Sequence, residues 1–130
     1  CLSSPALGVA LEVPKIKDQA ARLLNTFAPQ ITIAHEINFH DLSRDEVLVA
    51  SYFKDPLRHK RFSAPLYLGT LKAMEQVAEK AHHIKKPIFI QAAGQDRVTD
   101  TTATEKVFPH IGSSHKSLKI YKDSYHEIFN

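Results

Sequence analysis

The chain has 130 residues, 43% of them hydrophobic and 24% charged, which is a single-domain length with enough apolar content for a core. Its net charge of +3 is spread thinly; Lys85-Lys86 and His59-Lys60-Arg61 are short clusters, and they read as solvated surface rather than a nucleic-acid patch. The single cysteine, Cys1, excludes an intrachain disulfide and a thiolate metal cluster, and no run approaches the roughly 20 apolar residues of a membrane helix.

Residues 1–4 read as the end of a strand stopped by Pro5. Residues 5–14, with Gly8 and Pro14, read as an irregular link. A helix is predicted from Pro14, which suits a first turn, with Ile16, Ala20, Leu23, Leu24 and Phe27 recurring at spacings of three and four; Pro29 ends it. ITIAHEIN alternates but is too short to settle as strand or loop. Ser43 with Glu46 three residues on forms a capping-box pattern for a second helix carrying Val47, Leu48, Tyr52 and Phe53, stopped at Asp55-Pro56.

The clearest helix runs from about 65 to 83, with Leu68, Leu71, Met74, Val77, Ala78 and Ala81 on one face. Lys85-Lys86-Pro87 breaks it, and IFIQAA follows as a strand. A further helix is predicted over 99–107, with Thr99 or Asp100 as its cap, and SLKIY at 117–121 reads as the last strand. Helix, strand, helix, strand from residue 63 onward is a βαβ unit with parallel strands, so the fold class is α/β. Residues 5–62 break that rhythm and read as a helical insertion between two strands of one sheet. The domain expectation is a core of 1–4 and 63–130 with an insertion of 5–62.

Parallel strands place their C-terminal ends on one edge, where open α/β sheets bind ligands. Asp96 follows one strand end and His126 the next, so both belong to the same rim. An Asp bonded to one imidazole nitrogen fixes the tautomer and leaves the other nitrogen as a general base. Asp96 also stands where a helix N-terminal carboxylate would, and Asp100, the rival acid, stands at a capping position. Arg97 reads as a surface or ion-pair residue, and Asp123 as a turn residue, with orienting the histidine turn as its alternative. Of the seven other histidines, His82 and His83 are adjacent, point to different helix sides and share no metal face, and no His-x-x-x-His pattern occurs on a helix.

AAGQDRVTD followed by LKIYKDSYHEIFN resembles the acid and histidine segments of the α/β-hydrolase superfamily, and more closely its monoacylglycerol lipase and lysophospholipase branch. LSSPAL resembles the strand before that branch's cap, and LSRDEVLVASYFKDPL its cap helix. The resemblance implies a serine triad with Asp96 as acid and His126 as base, Ser124 standing where many relatives have glycine. It implies a helical cap (lid) at 5–62, some of whose apolar residues, among them Leu23, Phe27, Ile31, Ile33, Phe39 and Phe53, line an acyl-chain channel while most pack the cap on the core. It implies hydrolysis of lysophospholipid or monoacylglycerol esters with no metal or organic cofactor.

The nucleophile motif Gly-x-Ser-x-Gly cannot occur here, since the glycines are at 8, 69, 94 and 112 only. In this superfamily the triad runs Ser, acid, His, so the serine is expected before Cys1. CLSSPAL begins as though inside a strand and YHEIFN stops without a C-cap, which also suggests a piece of a longer protein. The expected partners are a lipid-like ester and the missing N-terminal half, with contact to a membrane surface left open, no nucleic acid, and a cytoplasmic or membrane-peripheral location. The alternatives are a peptidase or C–C hydrolase of the same superfamily, or a binding protein that kept the fold without the chemistry.

Overall fold

The computed structural model describes residues 1–10, 13–35 and 37–130. Two positions of the expected link (11 and 12) and one of ITIAHEIN (36) lie outside the described residues. The elements are β1 (Leu2–Ser3), α1 (Lys15–Phe27), β2 (Thr32–Ala34), α2 (Glu46–Tyr52), β3 (Arg61–Ser63), α3 (Ala64–Lys80), β4 (Ile88–Ala93), α4 (Thr101–Val107) and β5 (Lys116–Tyr121), with single 3-10 turns at Phe39–Asp41, Ala81–His83 and Phe108–His110.

Three strands form a parallel sheet in the order β1-β4-β5. β4 and β5 run in register from Ile88↔Lys116 to Ala93↔Tyr121, so their C-terminal ends finish side by side. The short β1 meets the middle of β4 at Leu2↔Ile90 and Ser3↔Gln91. A core of Ala81, Ile90, Val107 and Ile111, extended by Ile84, Ile88, Phe108 and Leu118, holds α4 against this sheet. ITIAHEIN resolves as β2, paired antiparallel with β3 at Thr32↔Ser63, Ile33↔Phe62 and Ala34↔Arg61. β3 runs straight into α3, so the expected junction at 62/63 falls inside a strand.

A second core, Phe39, Leu42, Val49 and Tyr52, gathers the 3-10 turn and α2 and reaches Val98 in the loop after β4. The segment 5–62 is thus seated on the acid loop. Residues 8–10 also run beside that loop: Val9 bridges Thr99, Ala10 N–H donates to the Val98 carbonyl at 3.2 Å, and Asp100 N–H to the Gly8 carbonyl at 3.0 Å.

Three local expectations change. Asp45, not Ser43, is the N-cap of α2; its carboxylate accepts from Val47 N–H at 2.9 Å and Leu48 N–H at 3.1 Å. Ser43 instead accepts from Asp45 N–H at 3.1 Å and sets up the turn, a competing local bond that sequence spacing does not separate from a cap. The apolar stripe of α1 does not face the core, since Ile16, Leu23 and Phe27 are 75%, 62% and 81% exposed while Ala21 is buried. His82 and His83 do not diverge: they lie in a 3-10 turn and their ring centroids are 4.0 Å apart.

Candidate functional site

The site is assembled by two loops that leave neighbouring strand ends. Gly94 N–H donates to the Tyr121 carbonyl at 2.8 Å and Gln95 N–H to the Ser124 carbonyl at 3.0 Å, so ladder-like pairing continues past the strands and zips the loops together. Beyond that zip, His126 Nδ1 and Asp96 Oδ2 stand 2.9 Å apart.

Asp96 is held on all sides. Its Oδ1 accepts from Val98 N–H at 2.8 Å and Thr99 N–H at 2.9 Å, and its Oδ2 accepts from the Thr99 hydroxyl at 2.8 Å as well as facing His126. The side chain is 1% exposed, against 23% for the imidazole. Burial works to raise the carboxyl pKa, but the bonds from His126, from the Thr99 and Val98 amides and from the Thr99 hydroxyl outweigh it and hold the carboxyl below its ordinary value. The acid is therefore an ionised, immobile acceptor. Facing Nδ1, it favours the tautomer with the proton on Nδ1 and leaves Nε2 as the basic nitrogen for a reacting group.

The imidazole's backbone is held too. The Ser4 hydroxyl donates to the His126 carbonyl at 2.6 Å, and Glu127 N–H donates to the Leu42 carbonyl at 2.8 Å. Ser4 is buried and carries φ 38°, a left-handed conformation that costs a non-glycine residue energy. Two guanidiniums approach the Tyr125 ring, Arg44 at 4.6 Å and Arg97 at 5.0 Å from the ring centre. Arg97 also pairs with Asp41 at 3.1 Å, and Arg44 donates to Gln95 Oε1 at 2.6 Å.

Asp96 and His126, singled out from the sequence, thus stand together. Asp100 stands apart as the N-cap of α4, where the Thr102 hydroxyl and the Thr102 and Ala103 amides, working against some burial, hold its carboxyl below the ordinary value. Sequence reasoning missed Thr99, Ser4 and Glu127. Thr99 had a signal, because an Asp three residues before a Thr is turn spacing. Ser4 had none, since 122 residues separate it from its partner. Among the described residues no group of three or more His, Cys, Asp and Glu side chains is placed to hold a metal ion.

Beside the acid loop lies an apolar pocket of about 290 Å³ between α1, the β2–β3 pair and α3. Val98 and Thr99, which bond Asp96, form part of its wall together with Val13, Ile33, Phe62 and Met74. Among the described residues no helix is long and apolar enough to cross a membrane.

A family described as serine aminopeptidase, S33, matches residues 1–130. The chain is similar to phospholipase YtpA of Bacillus subtilis (31% identical, covering 99% of this chain and 50% of the relative) and to a monoacylglycerol lipase of Mycolicibacterium smegmatis (25% identical, 99% and 46%). It therefore spans about half the length of these curated relatives. In three dimensions it resembles the monoacylglycerol lipase of Paleococcus ferrophilus with a TM-score of 0.92, at 29% identity over 98% of this chain and 50% of that one. A soluble variant of the yeast monoglyceride lipase shares the fold with a TM-score of 0.76 at 21% identity. The parallel sheet, its crossover helix and the family match over residues 1–130 agree: this chain belongs to the serine aminopeptidase S33 family and carries part of the α/β-hydrolase fold.

Proposed function

We propose that residues 1–130 supply the acid and the base of a serine hydrolase that cleaves carboxylic esters of lipids, namely lysophospholipids or monoacylglycerols. The observation that carries this reading is the 2.9 Å contact between His126 Nδ1 and a buried Asp96. A serine hydroxyl attacks the ester carbonyl while His126 Nε2 takes its proton; the imidazolium, stabilised by Asp96, then protonates the leaving alcohol. Water repeats the sequence to release the acid. No Gly-x-Ser-x-Gly occurs in these residues, so the nucleophile and oxyanion donors come from sequence before Cys1. The 130-residue chain by itself turns over no ester.

On this reading residues 5–62 are the cap over a core of 1–4 and 63–130, and the apolar pocket beside Val98 receives the acyl chain. The relatives named for phospholipase and monoacylglycerol lipase activity support a lipid ester over a polar one. The family description keeps a second reading, cleavage of an N-terminal amino acid from a peptide, as the competitor.

The test is fluorophosphonate labelling of the longer reading frame that contains this chain, followed by hydrolysis of monoacylglycerols, lysophospholipids and aminoacyl anilides. Labelling, with ester turnover abolished by His126→Ala and by Asp96→Ala, supports the proposal. Turnover of the anilides alone, or ester turnover that survives His126→Ala, refutes it.

A further inference from the structure

The loop that carries His126 is gripped from one side by a single stretch of the segment 5–62. Glu127 N–H donates to the Leu42 carbonyl at 2.8 Å. The Glu127 carboxylate accepts from the Tyr52 hydroxyl and from Asn130 Nδ2, and it faces Arg58 Nη2 at 3.4 Å. Arg58 in turn lies over the Tyr52 ring, 3.5 Å from its centre. On the other side of His126, Arg44 stacks on Tyr125. Leu42, Arg44, Tyr52 and Arg58 all belong to one stretch, and they touch both neighbours of the imidazole. Burial, followed by the bond to Glu127, pushes the Tyr52 phenol up to about 12, so it stays a donor across neutral pH.

A backbone bond and a charge-assisted side-chain bond on one residue fix its position and torsions together. Among the described residues the neighbouring imidazole has one ring bond, to Asp96, and it is partly exposed. Its orientation toward a nucleophile therefore depends on how well residue 127 is held. We propose that Glu127 is a positioning residue: clamped by Leu42, Tyr52 and Arg58, it sets the direction in which His126 presents Nε2, so that residues 42–58 take part in catalysis by aiming the base. This rests on the ester-hydrolase reading above, and it assigns the segment a task beyond covering a substrate.

The experiment uses the longer reading frame and three variants, Glu127→Ala, Glu127→Gln and Tyr52→Phe. Steady-state kinetics are measured on a p-nitrophenyl ester, with proton NMR of the far-downfield resonance of the proton between His126 Nδ1 and Asp96. Glu127→Ala is expected to lower kcat by about tenfold or more with KM within about twofold, since misaimed groups lose rate rather than binding. Its downfield resonance is expected to broaden or vanish. Glu127→Gln, which keeps the acceptor and the backbone bond, is expected to recover kcat to within about threefold. Unchanged kcat and an unchanged resonance in Glu127→Ala overturn the proposal. If Glu127→Ala loses its near-ultraviolet circular dichroism, Tyr52→Phe decides, because it removes only one hydroxyl: a lower kcat at constant KM supports positioning, and an unaltered kcat refutes it. The resonance needs no turnover, so an unsubstituted protein without esterase activity sinks the ester-hydrolase reading while the resonance still decides the clamp.

Discussion

Gly94 runs so close to Lys122 that a Cβ built on the glycine would stand 2.7 Å from both the Lys122 Cα and its carbonyl oxygen. The approach lets the loops after β4 and β5 zip, and the zip brings Asp96 to His126. Gly94→Ala must push the two backbones apart, since backbone atoms cannot rotate out of the way as side chains do. It is expected to cost about 1–3 kcal/mol of stability, read as a lowered urea midpoint, and to weaken the Asp96–His126 contact. An alanine variant with an unchanged midpoint would show that the approach is slack.

The depressed carboxyl of Asp96 fixes a sign for acid stability. Its folded pKa lies below its unfolded one, so it stabilises the folded state above the unfolded value, near 3.9, and that contribution fades as pH falls through the folded value. Asp96→Asn should be less stable than the parent at pH 6, with the gap narrowing below about pH 4. Urea titrations at several pH values test this; a gap that is constant with pH argues against an ionised carboxylate in the folded protein.

The two neighbouring acids separate in a paired experiment. In the longer reading frame, Asp100→Ala removes the α4 cap and is expected to cost about 1 kcal/mol while leaving the proposed ester turnover within about threefold of the parent. Asp96→Ala should abolish most turnover. Comparable loss of turnover in both variants would mean that the acid role had been given to the wrong residue.

Much of this division was readable in the sequence. The apolar run before Asp96, the alternation before His126 and the parallel order of the strands are short-range signals that place both side chains on one rim. The cap position of Asp100 follows from helix chemistry within one turn. What stayed hidden depends on what lies opposite. The stripe on α1 announces an apolar face, yet Leu23 and Phe27 remain exposed because periodicity identifies a face and not its occupant. The Ser4 bond joins the two ends of the chain and leaves no trace in local pattern. His82 and His83 lie beyond the last α-helical residue, Lys80, and their rings meet through side-chain torsions that backbone periodicity does not specify.

Lys116 is a structural cation at the far end of the sheet from His126. Its ammonium donates to the carbonyls of Phe108 at 3.0 Å, Pro109 at 2.7 Å and Ile111 at 2.7 Å, closing the turn that follows α4. Lys116→Met keeps the stem but strands these acceptors, and a loss of about 1–3 kcal/mol is expected. In the longer reading frame, the proposed ester turnover below the melting transition should not change. Thermal unfolding together with an ester assay reads both outcomes, and a variant as stable as the parent would demote the cluster to a surface contact.

Ser4 should reverse the usual order of small-residue substitutions. At φ 38° glycine is at ease and alanine is not, so Ser4→Gly is expected to be more stable than Ser4→Ala by about 1 kcal/mol. Both lose the hydroxyl that meets the His126 carbonyl. Equilibrium unfolding of the pair tests this, and an alanine variant as stable as the glycine one would mean that the backbone is relaxed there.

The grip of residues 42–58 on both neighbours of His126 bears on how members of this family can be recombined. Lids are often treated as exchangeable modules, to be swapped between homologues to alter substrate range. On the proposed reading of residues 5–62 as a lid, the lid and the loop of His126 share one set of fasteners, so a graft that imports a foreign lid has to bring Tyr125 through Glu127 with it. Without them, the hybrid would inherit a new entrance and lose its aim.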